Sequence, residues 1–272
     1  MGKRRFRLGT AISLGGVVAA APLIAACGSG PTYDDWAATD GAAGLINLDD
    51  VQAAFKSSKS ATDFERRVNE IYEGDGLVLI RAKQDGEALT LEGWEDLDGN
   101  NDINEAQDDQ LFSIVKGTND EYDMRGHGGN GYYGSHFGAG NFLMTYMLIS
   151  AISPRGYYYS TPVSRGAGMR SQRTSYRQSS SYGRQVARNS SFNGKQSSFR
   201  GSSYQSAKGN LSSNRSTYRS TQKTSGSFKN SSTISRSSSG KASSISRSSR
   251  GGSRGGGRGG SGAMKVRGHG RF

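Results

Sequence analysis

The sequence predicts a small α+β domain, two helices on a short antiparallel sheet, followed by a long disordered basic Ser/Arg/Gly tail. Three observations carry that expectation. Apolar residues recur at helical spacing between Asn47 and Tyr72, and three short runs of strand character follow before Lys116. Beyond Tyr157 no apolar periodicity continues, and Ser, Arg and Gly dominate. Charge divides the chain in the same way. All 23 Asp and Glu lie between Asp34 and Asp123, where residues 28–124 carry only seven Lys and Arg, a net charge of −16. From Arg125 to Phe272 there are 24 Lys and Arg and no acid, so the overall +12 hides two opposed blocks.

Taken in order, Met1–Leu8 is cationic, with Lys3, Arg4, Arg5 and Arg7, and Ala11–Ile24 is apolar and Ala-rich. Gly15, Gly16 and Pro22 interrupt that run, which is too short for a spanning helix. Small residues then precede Cys27, the one cysteine, so no disulfide within the chain is available. The order of basic head, apolar run and Leu23-Ile24-Ala25-Ala26-Cys27 resembles a bacterial lipoprotein signal peptide with its lipobox. The resemblance implies removal of residues 1–26 and covalent lipid on Cys27. Each buried methylene is worth about 0.8 kcal/mol, so two or three acyl chains hold a protein on a bilayer almost permanently. Gly28 after the cysteine resembles the class sorted to an outer membrane. The implied location is thus a cell membrane or outer membrane, with the chain facing the periplasm or the surface. Residues 27–44 read as the lipidated cysteine and a polar tether, in which Trp36 either dips into the membrane interface or is incidental.

Residues 45–123 read as the acidic α+β domain. Asn47 is placed to cap a helix with Leu48, Val51 and Phe55 on one face. Thr62-Asp63-Phe64-Glu65 has the spacing of a capping box, and Phe64, Val68, Ile71 and Tyr72 form an apolar stripe behind it. Gly74 closes that helix. Leu77–Lys83 and Ala88–Trp94 read as strands joined by an Asp85-Gly86 hairpin turn, and Leu111–Lys116 as a third. A core of about 70 residues is near the lower limit of independent stability. Residues 124–156 read as a Gly/His/Tyr loop and an apolar segment, Phe142–Ile152, expected to be a core helix or strand, the alternative being a segment lying on a membrane.

Among candidate sites, Asp96–Asp109 alternates carboxylate and amide oxygens on a tight turn, the ligand type a hard cation such as Ca²⁺ requires. It resembles an EF-hand loop, with Asp96, Asp98, Asn100, Asp102 and Asn104 at its first, third, fifth, seventh and ninth positions. Asn101 stands where that loop has glycine, and Gln107 where it closes with Glu; Asp108 closes it if the loop is one residue longer. The alternative is an Asx-rich turn that binds nothing. His127 and His136 without a cysteine or near carboxylate give thin support for zinc. No nucleophile–base or paired-carboxylate arrangement is identifiable, and no enzyme is expected.

Residues 157–272 interleave Arg and Lys with single aromatics, Tyr176, Tyr182, Phe192, Phe199, Tyr204, Tyr218 and Phe228. The end, with Arg250, Arg254 and Arg258 among glycines, resembles the RGG segments of RNA-binding proteins. Guanidinium groups suit phosphate and the rings suit stacking, so Arg170, Arg173, Arg177, Arg184, Arg188, Arg200, Arg215 and Arg219 join those three as polyanion-binding candidates. In an exported chain the anionic partners are lipopolysaccharide, wall polymer or extracellular DNA. Three functional readings follow. The first is a structural or adhesive envelope lipoprotein, and the second a calcium-responsive envelope module. The third is a nucleic-acid-binding protein with a misread leader. The opposed charge blocks also invite the tail to fold onto the acidic domain, or onto that of a second copy.

Overall fold

A computed structural model describes residues 30–85, 88–117, 121–138 and 157–234. Cys27, the apolar segment Phe142–Ile152 and Arg250, Arg254 and Arg258 lie outside these residues.

The two expected helices form for the expected reasons. In α2 (Leu48–Ser57) the Asn47 side chain accepts the Asp50 amide at 3.1 Å, and Leu48, Val51, Ala54 and Phe55 point into the core. Helix α3 (Ala61–Ile71) starts one residue before Thr62. Its cap is Ser60, whose hydroxyl accepts the Asp63 amide at 3.1 Å. Glu65 is therefore free of capping duty and is fully buried.

The sheet is antiparallel and six-stranded, in the order β5–β4–β3–β2–β1–β6. Strands β1 (Val78–Asp85), β2 (Ala88–Glu95), β3 (Asp109–Lys116), β4 (Glu121–Gly126) and β5 (Gly134–Gly138) form a meander. Strand β6 (Tyr157–Ser160) returns to the far edge and pairs with β1. Strand alternation sends Val78, Ile80 and Ala82 into the main core, where they meet α2 and α3. Leu77 and Leu79 belong to a second, smaller cluster with Met169. Gly93 in β2 leaves room for the Phe112 ring, since a Cβ there would stand 2.2 Å from it.

Three expectations are corrected. Residues 27–44 are not all tether: α1 (Tyr33–Ala37), capped by Thr32, carries Trp36 into a fully buried position beside Phe228 and Tyr218. Nor are residues 157–234 disordered. After β6 they form α4 (Gly166–Arg177), α5 (Ser180–Arg200), α6 (Ser202–Gly209) and α7 (Ser213–Ser225). The sheet likewise runs on through β5 and β6, past Asp123.

This segment lacks a continuous apolar face and is fixed in two other ways. Widely spaced anchors are buried singly: Met169, Phe192, Tyr204, Phe228 and Ile234. Between them, basic side chains reach acids of the first half. Glu65 accepts the Tyr159 hydroxyl at 2.5 Å and the Thr161 hydroxyl at 2.6 Å, and pairs with Arg165. Arg188 reaches Asp50 at 2.9 Å, and Lys208 reaches Asp40 at 2.8 Å.

The deepest such contact is Arg215. Its side chain is 1% exposed, pairs with Glu95, and donates from Nε to Asp109 Oδ2 at 2.9 Å. Glu95 also accepts the Tyr72 hydroxyl and, at 2.9 Å, the Gly76 amide. Burial and the Glu95 carboxylate push the Tyr72 phenol well above its ordinary range, so it stays a neutral donor. The guanidinium passes against Gly44, where a Cβ would lie 2.5 Å from Nη2; that glycine has φ +72°, which favours glycine again.

Replacing Arg215 by Ala leaves two carboxylates buried without their cation, and breaking such a pair from one side costs about 3–5 kcal/mol. Arg215→Ala is expected to lower the urea midpoint accordingly, whereas Arg184→Ala, on the surface, leaves it nearly unchanged. Equilibrium unfolding of the two variants checks this.

Candidate metal centre

The loop joining β2 to β3 is built from its own side-chain oxygens. Asp96 leaves the sheet with its amide still bound to the Leu77 carbonyl at 2.8 Å. Its carboxylate accepts the Gly99 amide at 2.8 Å and the Asn101 amide at 3.2 Å. Asp98 accepts the Asn100 amide at 3.0 Å, and Asn100 accepts the Asp102 amide at 2.6 Å. Asn104 accepts the Ala106 amide at 3.1 Å. Asp108 closes the loop from both sides, accepting Leu97 N at 3.0 Å and Asn104 N at 2.8 Å. The turn runs through Gly99 at φ +78° and Asn101 at φ +64°. Asn101 adopts the left-handed conformation that glycine would supply, which Asn tolerates better than other side chains.

Of the four carboxylates among the six candidate ligands, the loop brings three together. Asp96, Asp98 and Asp108 each offer a carboxylate oxygen within 4.8 Å of the others, and among the described residues they are the one such group of His, Cys, Asp or Glu. Asp96 and Asp108 are buried while Asp98 is exposed, so the cluster is reached from one side. Asn100 and Asn104 serve the turn, and Asp102 is not in the group. The Gln107 amide donates to the Asn104 carbonyl at 2.9 Å, and Asp108 holds the closing position.

Burial raises the Asp108 carboxyl to about 6, with the amides of Asn104 and Leu97 pulling against it and Asp98 and Asp96 adding to it. Burial likewise raises Asp96, helped by Asp98 and opposed by the Asn101 amide and Arg170. Arg170, from α4, enters the same loop. It donates to Asp96 Oδ2 at 3.1 Å, to the Gly99 carbonyl at 3.2 Å and to the Asn101 side-chain oxygen.

The remaining basic candidates divide by environment. Arg173 is bound to the carbonyls of Asp75, at 2.6 Å, and Gly76, and burial lowers it to about 10. Arg177 donates to the Tyr72 and Gly74 carbonyls at 3.2 and 2.8 Å, and Arg219 to Ala37 at 3.2 Å. Arg188 and Arg215 hold the acids described above. Among the described residues, Arg184 and Arg200 donate to neutral side chains of their own helix, Ser181 at 3.0 Å and Gln196 at 3.3 Å. The two histidines part company: His127 Nε2 meets the Ser113 hydroxyl at 2.9 Å, while His136 lies between Asp123 and Glu121 at 3.0 and 3.3 Å.

No family model, curated protein or solved structure matches the chain. Among the described residues no helix is long and apolar enough to cross a membrane.

Asp108 gives a pH signature without metal. Its folded value, about 6, exceeds the ordinary 3.8, so the folded state holds the proton more tightly. The Asp108 contribution to stability is expected to fall as pH rises from about 4 to about 6, and Asp108→Asn to flatten the profile by that share while Asp96 keeps its own. Urea midpoints across this range, with chelator present, check both.

Proposed function

We propose that the chain is a lipid-anchored, non-catalytic protein of the cell envelope whose folded body binds calcium in the Asp96–Asp108 loop. The convergence of Asp96, Asp98 and Asp108 carries the calcium reading. Three carboxylates so close repel one another, and two of them are also out of water. A hard divalent cation relieves both costs, and the single guanidinium of Arg170 does so only for Asp96. Asp98, on the open side, is the ligand by which the ion enters.

The lipobox-like leader supports the anchor. It places the loop in a compartment where calcium is plentiful, which suits an affinity of about 0.1–1 mM. The basic residues divide into two roles. Those of residues 165–219 are largely spent on the acids and carbonyls of the body. The C-terminal stretch 235–272 carries nine Lys and Arg and no acid, and it supplies the polyanion contacts of an adhesive envelope protein.

At ~5 mM Ca²⁺ the unfolding midpoint is expected to rise by about 2–4 °C, and Asp98→Asn and Asp108→Asn to abolish the rise. Calorimetric titration of the full chain that shows no heat at millimolar Ca²⁺ leaves the loop as turn chemistry alone. In cells, labelled fatty acid should enter the wild-type chain and not Cys27→Ala; equal labelling refutes the anchor.

A further inference from the structure

We propose a second binding site, for a sugar phosphate unit, in the cleft between α2, α3, α4 and α5. The cleft has a volume of about 540 Å³, enough for one or two sugar rings, and its lining includes Arg67, Arg184, Arg188, Tyr176, Asp50 and Glu70. What marks it is an imbalance of commitments. Elsewhere in residues 165–219 most arginines hold carboxylates or carbonyls. Here Arg188 is taken by Asp50 at 2.9 Å, and Glu70 by Arg66 at 2.5 Å on the same helix. Both acids of the cleft are thereby neutralised. Arg67 and Arg184 remain, exposed and in no ion pair among the described residues; Arg67 helps lower the Asp63 carboxyl one helical turn back, and Arg184 donates to Ser181 at 3.0 Å. Both line the cleft, and a guanidinium fork offers paired N–H donors of the kind a phosphoryl group accepts.

Two further features choose the rest of the ligand. The cleft is bordered by the first turn of α5, a 21-residue helix whose N-cap, Ser179, makes no side-chain cap. That end carries partial positive charge and adds to the attraction for an anion. Tyr176 stands on the opposite side of the chain turn, held edge-on to Tyr182 with ring centroids 6.1 Å apart, and presents an aromatic wall for a sugar ring. Asp50 accepts Gln185 and Arg188 through Oδ2, and Glu70 accepts Arg66 through Oε1; a second oxygen on each carboxylate is of the kind sugar hydroxyls donate to. An anion without a ring would leave Tyr176 and these acceptors unused. The site is separate from the calcium loop and does not require it. Free sugar phosphates and phosphorylated envelope glycans present this same unit.

The test is calorimetric titration of the full chain with glucose 1-phosphate, inorganic phosphate and glucose. Saturable binding of glucose 1-phosphate is expected, with phosphate weaker and glucose silent. Arg67→Ala and Arg184→Ala should each weaken binding about tenfold or more, and Arg67→Lys less. Unfolding midpoints of these exposed variants, unchanged from wild type, separate loss of binding from loss of fold. Asp108→Asn should bind as wild type does, so failure of the calcium reading leaves this result untouched. Displacement of glucose 1-phosphate by lipopolysaccharide or by wall teichoic polymer assigns the unit to that glycan, and displacement by neither assigns it to the free sugar phosphate. Absence of glucose 1-phosphate binding at millimolar concentration, equal binding of inorganic phosphate, or wild-type affinity in both alanine variants overturns the proposal.

Discussion

A guanidinium from residue 215 sits between Glu95 and Asp109, at the two ends of the loop that joins β2 to β3, and the remainder of the structure is arranged to make that burial tolerable. An ion pair removed from water gains only if its geometry is good and its remaining donors and acceptors are satisfied. Here Tyr72 and the Gly76 amide complete Glu95, and Gly44 leaves space for the arginine's path. The sheet cannot hold Glu95 and Asp109 in the interior without a cation, and that cation arrives more than 100 residues later. Acidic and basic halves are thus two parts of one fold.

The same logic recurs with decreasing burial. Glu65 draws in β6 and Arg165, Asp96 draws in Arg170, and Asp50 and Asp40 hold Arg188 and Lys208 nearer the surface. Contacts at the surface are worth little singly, typically under about 1 kcal/mol. Their sum, with five apolar anchors, replaces the continuous hydrophobic face that the basic segment lacks. Loop and tail are also mechanically joined, because α4 delivers Arg170 to the oxygens that a calcium ion would use. A cation held there, as proposed, would compete with Arg170 for Asp96.

What was legible in the sequence was local. The stripe Phe64, Val68, Ile71 and Tyr72, the Asn47 cap and the strand runs each depend on neighbours within a few residues, and all took the expected form. The Asp/Asn loop was legible for the same reason, down to Asp108 as its closing carboxylate and Asn101 in the glycine position. The helix start at Ser60 was missed because Thr62 and Glu65 mimic a cap, while Glu65 is spent on β6. Trp36 read as an interface or incidental residue and Phe192 as a ring for stacking, since a single aromatic has no period; each packs against partners distant in sequence. Low apolar content argued for disorder because it counts hydrophobic burial alone. The strict segregation of acid from base was the one sequence signal that pointed to the tail's partner.

Hydrogen–deuterium exchange of the full chain at neutral pH tests the central claim most directly. If Arg215 and its fellow cations fold the basic segment onto the acidic half, amides of α5 and α7 exchange slowly, with protection approaching that of β2 and β3, and Arg215→Ala releases α7 first. Exchange across residues 166–225 at the rate of an unstructured chain, while the sheet stays protected, would contradict the account.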